Sequence, residues 1–366
     1  RMNIHLFRAP VRMLLARSLL AIFVVAFSFC APVQAVQIEG LYSHQSALIG
    51  DDESERAQAF AAALAAVIVK LTGGEEALSV PGVDRALARA RDFVEGVSYS
   101  SIGEAGSGQS QRTITVDLSQ ALVDSLLGEL GVPIWNINRP SILVWVAVQS
   151  SEGERRLMNP ETDESMVTAL IDFADSRGLP LIFPVLDFED RRSLSVDNLW
   201  DLRTDAINLA SARYGADSIL AGRIHFTPTG ELVGLWQFQF QGEAQVFDGL
   251  DSNLQTYLEA PLDRVTEQLA DYFALPSAMG FEQKITLRVD GIRSLADYVA
   301  LFAYVGQLGI VSESSLASLD AERLELNLAV LGDAIRLREL IALDRDLLPI
   351  DSTRSERELL HYRWTR

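Results

Sequence analysis

Seven consecutive apolar residues, Ile142-Leu-Val-Trp-Val-Ala-Val148, constrain this chain more than any other feature. A strand with one wet face alternates apolar and polar residues. An unbroken apolar run predicts a strand covered on both faces, as at the centre of an α/β layer. The flanking pattern fits that environment. Residues 164–177 read as a helix ended by Gly178, and 181–186 as a second buried strand that Pro184 shortens or bulges. A helix is expected over 197–214, ending at Tyr214-Gly215, and a third strand over 217–226, turned by 227–230. Trp236, Phe238, Phe240, Ala244 and Val246 then alternate with Gln237, Gln239, Gln241, Glu243 and Gln245, which reads as one half-buried strand. Pro261 is expected to open a last helix, with Leu262, Val265, Leu269, Tyr272 and Phe273 on one side. The order β-α-β-α-β-β-α predicts a central α/β domain over 140–277, with parallel central strands and an antiparallel edge.

Two smaller α+β segments flank it. In 36–139 a strand over 36–48 leads to an acidic helix start, where Asp52 can cap with Glu55 three residues on. Phe60, Leu64, Val67, Ile68 and Leu71 follow at i, i+4, i+7, i+8 and i+11, one face of a helix that Gly73-Gly74 stops. A second helix is expected over 83–92. Strands over 93–102 and 112–118 are joined by the glycine-rich tip 103–108. A helix over 119–130 closes the unit, and 133–140, with Trp135, reads as a linker. In 278–351 the expected order is strand 283–290, helix 294–308, strands 310–317 and 323–331, and helix 333–344. That is a β-α-β-β-α unit of ferredoxin-like type. The charged residues 352–366 read as a loosely held tail.

The N-terminus reads as an export signal. Arg1, Arg8, Arg12 and Arg17 precede thirteen uncharged residues from Ser18 to Cys30, and Val33 and Ala35 stand at −3 and −1 of a cut after Ala35. A membrane span needs about 20 apolar residues, more than this run supplies. Phe27-Ser28-Phe29 is too bulky for a lipid-attachment site at Cys30. The expectation is a periplasmic protein with the signal 1–35 removed and no stable membrane span. Losing four arginines takes the net charge from −19 to −23 and removes the only cysteine. Such a chain has no thiol chemistry, and its acidity opposes nucleic-acid binding, which needs a basic footprint.

The residues also carry a resemblance. Arg56-Ala57, Ala59, Ala63-Leu64, Val67 and Lys70-Leu-Thr-Gly73 resemble the opening of a gammaproteobacterial exported family of unknown function. So do Arg139-Pro140 and Arg213-Tyr-Gly-Ala-Asp-Ser-Ile-Leu-Ala-Gly-Arg223. The stretch from Tyr214 to Arg223, with its following antiparallel strand, is similar to the TolB N-terminal domain. Comparable α/β domains occur in LpoB and CsgG. The resemblance implies a TolB-N-like central domain and protein–protein contacts in the cell envelope; unlike LpoB and CsgG, this chain lacks a lipid-anchoring cysteine.

No catalytic template stands out. The chain contains no Gly-x-Gly-x-x-Gly after a strand, no Walker loop, no Gly-x-Ser-x-Gly elbow, no Ser-x-x-Lys and no His-Glu-x-x-His. No catalytic residue, metal ligand or cofactor is therefore expected. Asp187, Glu189 and Asp190 follow a buried strand, where open α/β sheets bind ligands, and could hold a divalent cation or act as acid and base. The plain alternative pairs them with Arg191 and Arg192. The alternating Gln237, Gln239, Gln241, Glu243 and Gln245 would form one polar row, joined by Arg223 and His225 if the hairpin pairs with the third strand. That row suits an envelope protein or a glycan; ordinary solvent exposure is the plain alternative. The leading expectation is a non-catalytic binding or scaffolding protein. The alternative is a carboxylate-dependent periplasmic hydrolase or sugar-processing enzyme.

Overall fold

The computed structural model describes residues 40–48, 52–103, 110–135, 139–274, 282–331, 334–343, 346–350 and 359–365. Residues 1–35, expected to be a signal, and most of the hairpin tip lie outside them. The fold class is mixed α/β and α+β, with three sheets.

The first sheet is antiparallel, in the order β1-β3-β2, with β1 (Ser43–Leu48), β2 (Val94–Gly103) and β3 (Ser110–Leu118). The helix α1 (Glu53–Thr72) covers it, and the short α2 (Val83–Leu87) and α3 (Gln120–Glu129) complete the layer. Asp52 caps α1 as the sequence predicts, its carboxylate accepting from Glu55 N at 2.8 Å. The stripe Leu64, Val67, Ile68 and Leu71 is fully buried against Ile114 and Val116 of β3. The helix expected over 83–92 is instead α2 followed by a separate 3-10 turn over Ala90–Phe93.

The second sheet has β4 (Ile142–Gln149) inside it, parallel to β7 (Ser218–Phe226) and to the two-residue β6 (Leu181–Ile182), and antiparallel to β5 (Arg155–Leu157). Beyond β7 lie β8 (Leu232–Phe240) and the edge strand β9 (Glu243–Asp251). Ile142, Val144, Val146 and Val148 pack on one side with α4 (Glu164–Arg177) and α8 (Leu254–Phe273). Leu143, Trp145 and Ala147 pack on the other with α5 (Phe188–Ser193), α6 (Val196–Trp200) and α7 (Thr204–Ser211). The continuous apolar run is thus covered on both faces.

Three expectations are corrected here. The helix over 197–214 is broken into α6 and α7, because Leu202 between them takes a left-handed φ of 50°. The strand over 236–246 is a hairpin, because Gln241 (φ 50°) and Gly242 (φ 82°) form a two-residue turn whose positive φ pair matches strand twist. Pro261 lies inside α8 rather than at its start.

The third sheet runs β11-β12-β10-β14-β13, with β10 (Glu282–Asp290), β11 (Val311–Asp320), β12 (Arg323–Leu331), β13 (Leu347–Pro349) and β14 (Leu359–Trp364). Helices α9 (Leu295–Gln307) and α10 (Ala334–Leu343) pack on it. The tail expected to be loose contributes β14, parallel to β10, with Leu360, Tyr362 and Trp364 buried. Its alternation of apolar and polar residues covers only six positions and follows a charged stretch, which hides the strand in the sequence. No helix among the described residues is long and apolar enough to cross a membrane.

The first and second sheets meet at Arg139, which is 5% exposed. Its guanidinium lies 4.2 Å over Trp135. It donates to the carbonyls of Arg177 (2.6 Å), Gly178 (3.1 Å) and Trp135 (2.9 Å), and to Lys70 O. Lys70 is in the last turn of α1, and Arg177 ends α4. One cation therefore caps the negative ends of two helices. Burial pushes its pKa down to about 9, so it stays charged at neutral pH. Both helices end on left-handed glycines, Gly73 (φ 81°) and Gly178 (φ 66°). A Cβ on Gly178 would sit 2.9 Å from the guanidinium.

Arg139→Met is expected to cost on the order of 3 kcal/mol, because buried helix-end carbonyls lose their donor. Arg139→Lys recovers only part, since one ammonium cannot span both ends. Urea unfolding checks this; a wild-type midpoint for Arg139→Met would refute the bridge.

Candidate functional site

Registry across β4, β7, β8 and β9 fixes which side chains share a face. Arg223 aligns with Ala147, Leu235 and Asp248; His225 aligns with Gln149, Val233 and Leu250. Ala221 aligns with Trp145, Gln237 and Val246. Arg223 and His225 therefore do share a face with Gln237 and Gln239.

The five-residue polar row does not survive. The turn at 241–242 inserts two residues, so Glu243 pairs with Phe240 and Gln245 with Phe238, placing both on the opposite face. Gln241 sits in the turn, accepting from the Tyr272 hydroxyl at 2.9 Å. Gln237 and Gln239 are buried, at 6% and 7% exposure, beneath α7. Gln237 donates to Thr204 Oγ1 at 3.2 Å, and Gln239 donates to Gln237 Oε1 at 2.9 Å. These amides satisfy each other inside the fold.

What stays open is the other half of that face. A groove of about 520 Å³ lies over Val233, Leu235 and Leu250, rimmed by Trp200, Arg223 and Asp248. Arg223 Nη1 donates to Trp200 O at 2.8 Å, and its guanidinium lies 5.6 Å from the Trp200 ring. Arg155 lies 4.3 Å over the same ring and donates to Gln149 Oε1 at 3.0 Å. Among the described residues Arg223 and Asp248 have no ion-pair partner, and the buried His225 Nδ1 has no hydrogen-bond partner. An anion can meet the Arg223 fork, a cation can meet Asp248, and apolar groups can cover Leu250, which is 68% exposed. Leu235, Asp248 and Leu250 are members of this site that the sequence pattern missed. Only the hairpin pairing places them beside Arg223.

The acidic cluster has a different fate. Asp187 caps α5, and Arg213 grips it with two bonds of 2.8 and 2.9 Å. Asp190 is fully buried and accepts from Arg213 Nη1 (3.1 Å), Leu186 N (2.9 Å) and the Tyr214 hydroxyl. Glu189 reaches Arg213 only at 3.7 Å and is exposed. The expected partners Arg191 and Arg192 are replaced by Arg213, which the turn after α7 brings back across α5. Arg213's hydrogen bonds hold Asp187 down at about 2, and burial, with donation to Asp190, pushes Tyr214 up to about 12. The cluster latches the helical layer, and its carboxylates are spent. No group of three or more His, Cys, Asp or Glu placed to hold a metal occurs among the described residues.

The rest of the 213–223 motif is structural in the same way. Asp217 Oδ2 accepts from Ser141 N (2.8 Å) and Ser141 Oγ (2.7 Å), tying β7 to the entry of β4. A Cβ at Gly222 would lie 2.4 Å from the Trp236 ring.

The latch predicts a pH dependence. Asp187 titrates below its unfolded value, so its stabilising effect is full above about pH 4 and fades as pH falls toward about 2. Asp187→Asn should lower the melting temperature near neutral pH, and the gap to wild type should close on acidification. A gap that persists unchanged at low pH would contradict the ion-pair account.

Residues 35–136 match a family described as Domain of unknown function (DUF8605). No curated protein matches the chain. Among solved structures, a competence-damaged protein (CinA) superfamily protein from Enterobacter cloacae is similar at 12% identity. That similarity covers 39% of this chain and 85% of the other, with a TM-score of 0.24. An uncharacterized protein is similar at 12% identity over 37% of this chain and 92% of its own, with a TM-score of 0.17. Likeness at these scores carries no argument about fold or function.

Proposed function

We propose that this chain is an exported, periplasmic binding or scaffolding protein that holds a cell-envelope partner in the open half of the central sheet face. The observation that carries the reading is the row Arg223–Leu235–Asp248, a cation and an anion set across an apolar floor with neither in an ion pair among the described residues. Buried apolar contact supplies affinity, and the two charges orient the bound segment. A peptide crossing the strands, with an acidic group toward Arg223 and a basic group toward Asp248, fits that chemistry. The leader-like residues 1–35, the likeness of 214–223 to the TolB N-terminal domain and the gammaproteobacterial exported-family resemblance support an envelope setting. The hydrolase alternative loses its acid–base pair, because Arg213 occupies Asp187 and Asp190.

Recovery of partners from periplasmic extract tests the groove. Wild type and Leu209→Arg, an exposed change on α7, should retain the same partner. Asp248→Arg/Leu250→Arg should lose it by about tenfold or more. Equal recovery by all three would remove the groove from the account. N-terminal sequencing of the exported protein should begin at Val36; an intact precursor confined to the cytoplasm would refute the export reading.

A further inference from the structure

We propose that β2 is a homodimerisation edge, pairing antiparallel with β2 of a second copy of this chain. The inference starts from how the sheet edges are guarded. Exposed edge strands pair with other chains unless they are short, charged, bulged or covered. Strand β5 has three residues, two of them arginines, and β13 has three, one of them Pro349. Strand β9 carries Glu243, Asp248 and Asp251. Strand β11 carries Glu313 and Asp320, and its register shifts twice, between Val311 and Glu313 and between Leu316 and Ser318. Strand β1 is short, and Lys70 Nζ occupies its Ser43 carbonyl at 2.8 Å.

Strand β2 lacks such protection over most of its length. It has ten residues, and its one charge, Glu95, sits in the bulge between Val94 and Gly96. Residues 97–102, Val-Ser-Tyr-Ser-Ser-Ile, contain no charge, proline or glycine. Such a short, uncharged, β-prone run is the signature of strand addition. Among the described residues no strand pairs with its outer edge.

The adjoining core is also unfinished on this side. Val97 pairs with Val116, and Tyr99 with Ile114, so their side chains lie on the core face. Yet they are 38% and 50% exposed, while Val116 and Ile114 are fully buried. Helix α1 does not reach over them. A groove of about 600 Å³ remains between α1 and β2, lined by Phe60, Leu87 and Val94 as well as Val97 and Tyr99.

A second copy fits by symmetry. With a two-fold axis at Ser98, Tyr99 stands opposite Val97 of the second copy, an aromatic–β-branched pair that favours strand pairing. Side-chain parity is kept, so both apolar faces fall on one side and both α1 helices cover them. Glu95 meets Ser101 rather than another charge. On the outer face Ser98 meets Ser98 of the second copy, and Ser100, whose Oγ lies 2.7 Å from Thr113 Oγ1, meets Gly96, so no side chains clash there. The result is a closed, isologous six-stranded sheet, β1-β3-β2-β2-β3-β1. The net charge of −23 that remains on residues 36–366 opposes association, so salt should strengthen the dimer by screening.

The test uses protein comprising residues 36–366, which contains no cysteine. Sedimentation equilibrium should show a monomer–dimer equilibrium that shifts toward dimer with added salt. Ser98→Cys should form a disulfide-linked dimer on mild oxidation, while Ser315→Cys on β11 should not. Tyr99→Lys places a charge facing inward at an exposed position. It should raise the dimer dissociation constant by about tenfold or more and leave the melting temperature of the monomer unchanged. A chain that stays monomeric at all concentrations and salt levels, with Ser98→Cys unlinked, would overturn the proposal. So would a dimer indifferent to Tyr99→Lys, or recovery of a different protein cross-linked at Ser98→Cys in place of the second copy.

Discussion

The guanidinium of Arg139 joins the first sheet to the second. It is nearly sealed from water, and it draws on carbonyls from α1, from α4 and from the turn at Trp135. Helix ends carry unsatisfied carbonyls and partial negative charge, and burying two such ends together would be unfavourable without a donor between them. The positions of α1 and α4 therefore depend on one side chain. Trp135 beneath it and the glycine at 178 leave it the space to sit there, while Gly73 lets the end of α1 approach Ala270 of α8. A chain segment that resembles a linker in composition is in this way a structural joint.

The second sheet shows the same economy. One face is covered over its central strands by α4 and α8, with Glu243 and Gln245 of β9 left exposed at the edge. The other is sealed over only half, because the covering layer is three short helices rather than one long one. Trp145 Nε1 donates to Ser211 Oγ at 3.0 Å, Gln237 meets Thr204, and Arg213 latches α5 from the far side of the layer. The layer ends at Trp200, whose carbonyl takes Arg223. Beyond that point Val233, Leu235 and Leu250 lack a cover. The open groove follows from where the helices stop, and the charges at Arg223 and Asp248 flank the stretch left bare.

Much of the fold was legible because its strongest signals are periodic. The run 142–148 announced a strand buried on both sides, and the stripe from Leu64 to Leu71 announced a helix face. What escaped is set by geometry that periodicity does not carry. The Gln241–Gly242 turn preserves the alternation on paper while reversing its meaning in space, so a glutamine row that looked continuous is divided between two faces. The helix over 197–214 looked unbroken because the break at 201–203 carries no glycine, proline or side-chain cap; it rests on the left-handed φ of Leu202 alone. Strand β14 was masked by its shortness and by the charged residues before it in the sequence. In the site, Arg223 and His225 were legible from strand alternation. Asp248 and Leu250 were not, since their neighbours are set by hairpin registry. Arg213 was visible as a motif residue, but its partners lie more than twenty positions away in sequence.

Hydrogen exchange, followed by mass spectrometry with and without periplasmic extract, tests the central claim most directly. Backbone amides around 223–226, 233–236 and 247–250 should gain protection when the extract is present, while those of α4 and of the buried strand β4 stay unchanged. Protection confined to other surfaces, with these three segments exchanging at their free rate, would contradict the assignment of function to the open half of the sheet.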